Sequence, residues 1–294
     1  MRNCSILNSA TPWEHKIEEN LVLRGCDLRK PDLPTIQFMH GVAFCGKLYW
    51  PLLKQLTDDY GLFIQDMQGH GESDPGTEFT GWQSAIDNAT SVMNEFDLHN
   101  DNGPFIGMGH SYGASLSMIM AAADPSRFSG LVLLDPMIFP LSLFELFANP
   151  ENPMVSRVLN KKKEWLNRNE ALEYLKSKNA FKTWQPDALE SFVDHAMAEQ
   201  KDGKVTLRCP PEIEAQVLAN PLLTIWDAVD NLQTPTIMLY SDEATSPIAQ
   251  SCIDASEKNS YIQCIPMKGS HNFMQEYPDE TFKVSMESLA TLIS

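Results

Sequence analysis

The pentapeptide Gly109-His110-Ser111-Tyr112-Gly113 constrains this chain more than any other stretch. It joins a strand-like run at 105–108 to a helix-like run at 114–123. A serine on a strand-to-helix turn holds its hydroxyl clear of the backbone. Side chains at the two flanking positions would collide with the neighbouring strand and helix, and glycine also tolerates the torsions of a tight turn. The backbone N–H of the next residue, Tyr112, then faces any negative charge that develops beside the serine oxygen.

The segments around the pentapeptide alternate in the way such a turn requires. Residues 16–24 read as an edge strand or hairpin, 35–39 as a short apolar strand, 48–56 as helical and 61–66 as a second apolar strand. A helix with apolar spacing comes next at 81–97, and a buried strand at 131–134 comes after the pentapeptide and its helix. This rhythm predicts an α/β fold, a mainly parallel central sheet with helices on both faces. It breaks after Asp135-Pro136. From 137 to 227 there is no clear strand; helical patterns at 141–147, 155–167, 170–177, 187–198 and 212–219 are punctuated by prolines. Strand character returns at 236–240 and 261–265, and a final helix is expected at 278–293. The expected organisation is a core of 1–136 and 228–294 carrying a helical insertion at 137–227.

Composition narrows the partners. Of 294 residues, 43% are hydrophobic, enough for a sizeable core, while 39 acidic against 22 basic residues give a net charge of −17. Phosphate backbones are repelled by such a surface, so nucleic acid is not an expected partner. The run Lys161-Lys162-Lys163 reads as a solvated helix face. No stretch approaches the roughly 18 apolar residues of a membrane span, and the polar first 19 residues lack the apolar stretch of a signal peptide. The six cysteines form neither a Cys-x-x-Cys pair nor a metal-ligand pattern. A cytoplasmic protein with free thiols, without stable membrane insertion, is the expectation; the oligomeric state is open.

Four stretches taken together point to a family. They are His40-Gly41 after a strand, Asp66-Met67-Gln68-Gly69-His70-Gly71-Glu72-Ser73-Asp74, the Ser111 pentapeptide, and Gly269-Ser270-His271-Asn272-Phe273 near the end. In their order and spacing the chain resembles the α/β-hydrolase fold from about residue 20 to 293. The resemblance implies Ser111 as nucleophile, His271 as general base and the insertion as a cap or lid over the active site. It implies an oxyanion hole built from the N–H groups of Val42 and Tyr112. The loop 66–74 reads as architectural, with Gln68 where the family often has arginine, and His40, His70 and His110 read as loop-shaping histidines.

The triad acid departs from the commonest pattern. The family usually places it after the strand that follows the insertion, where Ala244 stands here. Asp135, at the end of the strand 131–134, is the preferred candidate, because some lipases of this fold carry the acid there; Glu243 and Asp242 are the alternatives. Asp135 also admits a plain reading as a turn opener before Pro136. His40, Gly41, Phe44, Trp50, Met137 and Phe139 are expected around the substrate, with Cys45 a buried hydrophobe. The expected activity is hydrolysis of a carboxylic ester with a hydrophobic acyl group through an acyl-enzyme, which needs neither metal nor organic cofactor. A thioesterase, a lactonase, a carbon–carbon bond hydrolase, an acyl transferase or lyase on the same residues, and a non-catalytic ligand-binding homologue are the alternatives.

Overall fold

The computed structural model describes residues 3–143, 152–220, 224–243 and 246–293. Among these residues there are eleven strands: β1 (Thr11–Glu18), β2 (Leu21–Leu28), β3 (Thr35–Met39), β4 (Gly61–Asp66), β5 (Phe105–His110), β6 (Gly130–Leu134), β7 (Glu164–Trp165), β8 (Met197–Glu199), β9 (Val205–Leu207), β10 (Thr236–Ser241) and β11 (Ile262–Met267). Eight of them form one sheet in the order β1-β2-β4-β3-β5-β6-β10-β11. The β1–β2 hairpin and the β2–β4 pair are antiparallel, and every pair from β4 to β11 is parallel.

Burial explains why the central strands read as unbroken apolar runs. Every residue of β4, β5 and β6 is buried, since helices cover both faces of a parallel sheet. β1, at the edge, alternates between exposed and covered residues instead. Two apolar clusters lie on opposite sides of the sheet. One contains Phe63, Met93 and residues of the helix Tyr112–Ala123; the other contains Phe38, Leu52, Ile64 and Leu289. The final helix runs Pro278–Ile293, as its apolar pattern predicts.

The chain leaves the sheet after β6 and rejoins it at β10. The expectation of a strand-free segment here is corrected: β7, β9 and β8 form a small antiparallel sheet. Strands of two or three residues leave no readable alternation. The helix expected at 155–167 spans only Pro153–Leu159, and the helix expected at 187–198 ends at His195, just before β8 begins. The helices Arg168–Lys176 and Pro211–Ala219 lie where their patterns place them. Only Leu141–Leu143 of the helix expected at 141–147 is described, as a short 3-10 turn; the rest lies outside the described residues, as does Ala244. Lys161, Lys162 and Lys163 are not on a helix but in the turn before β7. Among the described residues no helix is long and apolar enough to cross a membrane.

Strand polarity positions the site. The carboxyl ends of β3, β5, β6, β10 and β11 open on one edge, delivering Gly41 and Val42, Ser111, Asp135, Ser241 and the 269–273 loop in turn. The chain runs from β3 to β4 on one side, then crosses to β5 on the other. The connections that leave β3 and β5 run to opposite sides of that point, and crevices of α/β sheets form at such a switch.

Candidate functional site

Ser111 caps the helix Tyr112–Ala123 with φ of 53° and ψ of −113°. A non-glycine residue in this region is strained. Four described non-glycine residues have positive φ, and three of them (Ala43, Ser111 and Asp135) lie in or beside this one site. The flanking glycines are required by space. A Cβ on Gly113 would lie 2.3 Å from the carbonyl oxygen of Met39, and one on Gly109 would lie 2.7 Å from the nitrogen of Ala114. β3 can lie against the turn only because neither position has a side chain.

The Ser111 hydroxyl donates to Nε2 of His271 at 2.9 Å. The opposite ring nitrogen, Nδ1, donates to Oδ2 of Asp135 at 2.5 Å. Asp135 is fully buried, and its other oxygen accepts from the N–H of Ser241 at 2.9 Å. Both carboxylate oxygens are thereby engaged, which fixes the carboxylate plane and holds the proton of His271 on Nδ1. Nε2 is left as an acceptor facing Ser111. The arrangement can take a proton from the serine oxygen and return it.

The other two candidate acids do different things. Asp242 is exposed and accepts from the N–H of Gly269 at 3.2 Å, while the hydroxyl of Ser241 donates to the Gly269 carbonyl at 2.6 Å. Both contacts brace the turn before His271. Glu243 is exposed on the cavity wall, and its backbone N–H donates to Ser241 Oγ.

A second hydrogen-bonded chain runs behind Ser111, His271 and Asp135. His110 Nε2 donates to the carbonyl oxygen of His271 at 2.9 Å, and Nδ1 accepts from the hydroxyl of Tyr49 at 2.6 Å. Tyr49 in turn accepts from the N–H of Gly41 at 3.1 Å. Burial, first, and the neighbouring His271 ring hold the His110 pKa well below its ordinary value, so the ring is neutral and its single N–H is spent on the His271 carbonyl. The strand-end loop at Gly41 and the loop carrying His271 are thus tied through one imidazole and one phenol. Tyr49 has no motif around it, and nothing in the sequence marks it.

His40 and Gly41 are expected around the substrate, but they stand behind the wall. His40 is fully buried; Nδ1 donates to the Gly41 carbonyl and Nε2 accepts from the Met67 N–H. Burial lowers its pKa to about 4. Trp50 is also corrected: it is buried in the apolar cluster beneath β3 and lines none of the described cavities. Tyr112 presents its amide, while its ring packs edge-on against Trp82. The amides of Val42 and Tyr112 have no acceptor among the described residues, and Val42 and Ser111 share the wall of one cavity. Cys45 is buried, which raises its thiol pKa well above the ordinary value. The 66–74 loop is architectural as expected: buried Asp66 accepts from the N–H groups of Gly46 and Glu72.

The cavity at Ser111 and His271 measures about 500 Å³. Phe44, Met137, Phe139, Leu218 and Ile248 make most of its wall apolar, with Glu214 and Glu243 at its polar edges. Phe44, Met137 and Phe139, expected around the substrate, line this cavity; Leu218, Ile248 and Glu214 carry no signal in the sequence. Another buried carboxylate goes unread: Glu276, on the turn after His271, accepts from Ser270 and from Thr183 of the inserted segment.

A family model described as Hydrolase_4, serine aminopeptidase, S33, matches residues 31–244, more than half of the chain. The protein belongs to this α/β-hydrolase family. The match includes the Val42 loop, Ser111 and Asp135 and stops short of His271. Lipase LipV of Mycobacterium tuberculosis is 32% identical over 100 residues, covering 34% of this chain and 36% of that protein. Monoglyceride lipase of Rattus norvegicus is 30% identical over 124 residues, covering 41% of this chain and 38% of that protein. The aligned stretches thus span little more than a third of these curated relatives. The crystal structure of E-2-(acetamidomethylene)succinate hydrolase superposes with a TM-score of 0.81 at 17% identity, covering 96% of this chain and 99% of that one, which makes the α/β-hydrolase fold common to both.

Proposed function

We propose that this protein is a serine hydrolase that cleaves a carboxylic ester with an apolar acyl group. One observation carries the reading: two consecutive hydrogen bonds, Asp135 to His271 and His271 to Ser111, end at an apolar cavity. The lipase relatives support the same class of bond.

In this reading Ser111 Oγ forms a bond to the ester carbonyl carbon while its proton passes to His271 Nε2. The carbonyl oxygen becomes an anion facing the N–H groups of Val42 and Tyr112. His271 then protonates the departing alkoxide as the carbon–oxygen bond breaks. Water attacks the acyl-enzyme, gives its proton to His271, and Ser111 leaves with that proton restored. Asp135 stabilises the charged imidazole at each stage. The segment 137–227 acts as a cap, whose Met154, Glu214 and Leu218 close the cavity over the serine. Thioesters and lactones would react by the same steps, so the leaving atom is a question of substrate and not of machinery.

The test is covalent labelling with a fluorophosphonate, then hydrolysis of p-nitrophenyl esters of graded chain length. Stoichiometric labelling on Ser111, lost in Ser111→Ala, is expected. Folded protein that takes no label and turns over no ester would leave a ligand-binding homologue as the better reading.

A further inference from the structure

The cavity at Ser111 borders a larger one. A space of about 870 Å³ within the inserted segment meets the first cavity at Val42, Phe44 and Glu214. Aromatic rings of Trp165, Tyr174, Phe181 and Phe192 form part of its wall. Its charge is opposite to that of the protein. Four cations, Arg157, Lys161, Lys162 and Lys178, face one carboxylate, Glu214, whereas the whole chain carries 22 basic against 39 acidic residues.

Two of these cations are already neutralised: Lys161 pairs with Glu214, and Lys162 pairs with Glu170 at 2.8 Å. The other two are not. Lys178 sits over the ring of Tyr174 at 4.3 Å, and neither it nor Arg157 has a carboxylate within ion-pair distance among the described residues. Other cations of this acidic chain also lack a carboxylate partner among the described residues, but these two line the same aromatic chamber. Two left free at the mouth of an aromatic chamber make a place for an anion attached to an apolar body.

We infer that this second chamber is a subsite for the far end of an acidic substrate, an ester or thioester one arm of which carries a carboxylate or phosphate held by Arg157 and Lys178. This rests on the hydrolase reading above and narrows it: the apolar portion lies against the aromatic wall of Tyr174, Phe181 and Phe192, and the anion lies at the cationic rim. Both cations are exposed, so the subsite discriminates by charge in a salt-dependent way.

The first test needs no catalysis. Binding of 8-anilinonaphthalene-1-sulfonate is compared with that of its uncharged relative N-phenyl-1-naphthylamine by fluorescence in low salt. The double variant Arg157→Gln/Lys178→Gln should weaken the sulfonate about tenfold and the neutral dye less than twofold, on the order of two exposed ion pairs. Lys176→Gln/Lys204→Gln, which removes two cations outside the chamber, should change neither. Equal effects on both dyes, or none, overturn the subsite. The second test asks which arm carries the anion. Turnover of p-nitrophenyl hydrogen suberate is set against p-nitrophenyl octanoate, and octanoyl-coenzyme A against octanoyl-N-acetylcysteamine. In one pair, kcat/KM for the anionic member should fall about tenfold relative to the neutral member in the double variant. If neither ratio moves while a fluorophosphonate labels Ser111, the subsite is refuted and the hydrolase stands. If the sulfonate responds to the two charges but Ser111 takes no label and no ester is cleaved, the subsite stands and the hydrolase falls.

Discussion

Asp135→Asn replaces one atom at the buried end of the Ser111-His271-Asp135 hydrogen-bonded chain, and the surrounding hydrogen bonds dictate its effect. The carboxylate accepts twice, from Ser241 N–H through one oxygen and from His271 Nδ1 through the other. An amide has a single acceptor oxygen. If it keeps the Ser241 contact, its NH2 group faces His271 Nδ1, and the ring must move its proton to Nε2. Nε2 then points a proton at Ser111 Oγ and can no longer accept one. If the amide turns over, its NH2 meets the Ser241 N–H in a fully buried place, and an unpaired buried donor costs about 1–3 kcal/mol. The first orientation is therefore preferred, and the protein keeps its shape with the wrong tautomer. Loss of the charge that stabilises the imidazolium adds to this. Turnover of p-nitrophenyl esters should fall about 10⁴-fold, roughly 5 kcal/mol of barrier. Asp242→Asn and Glu243→Gln should cost less than about tenfold, since neither carboxylate contacts the ring. Circular dichroism and a thermal melt would show that each variant is folded. Asp135→Asn retaining more than a tenth of normal turnover, with Glu243→Gln inactive, would refute the reasoning.

Packing and burial set two further outcomes. Gly113→Ala puts a Cβ 2.3 Å from the Met39 carbonyl oxygen, a backbone atom of β3 that cannot move aside alone, so stability should drop by about 3 kcal/mol in urea denaturation; a loss below about 0.5 kcal/mol would contradict the geometry. Acid should destabilise the protein before its carboxylates titrate. Burial lowers His40 to about 4 and His70 to about 3, and holds His110 well below its ordinary value, so the unfolded chain binds protons that the folded one refuses. The stability of the neutral rings is complete above pH about 6.5 and is lost as pH falls through about 4 for His40 and about 3 for His70, by up to about 1.4 kcal/mol per pH unit for each histidine. Urea midpoints that stay level between pH 7 and pH 5 would show that these rings are accessible or already charged.

The elements legible in the sequence are those whose burial leaves a long, unbroken signature. β3 and β4 are placed to the residue, and the final helix to both its ends, because a strand covered on both faces is apolar throughout and a long amphipathic helix repeats its period. β7, β8 and β9 escape notice because two or three residues show no period. Lys161–163 is misread as a solvated helix face because charge alone does not say which way a side chain points; Lys161 and Lys162 turn toward the inner chamber. Trp50 and His40 are misplaced for a related reason, since a residue near a motif can stand in front of the wall or behind it. Ala244 lies outside the described residues, so the commonest acid position is silent.

Local patterning, by itself, determined the α/β order, the strained turn at Ser111 and the loop that carries His271, because each depends on neighbours along the chain. Tertiary structure alone decided which of three acids meets the imidazole. Asp135 and His271 are 136 residues apart in sequence and 2.5 Å apart in space, and only the parallel pairing of β6, β10 and β11 brings their ends together. The same holds for Arg157 and Lys178 at the aromatic chamber, whose place depends on how the inserted segment folds back over the sheet.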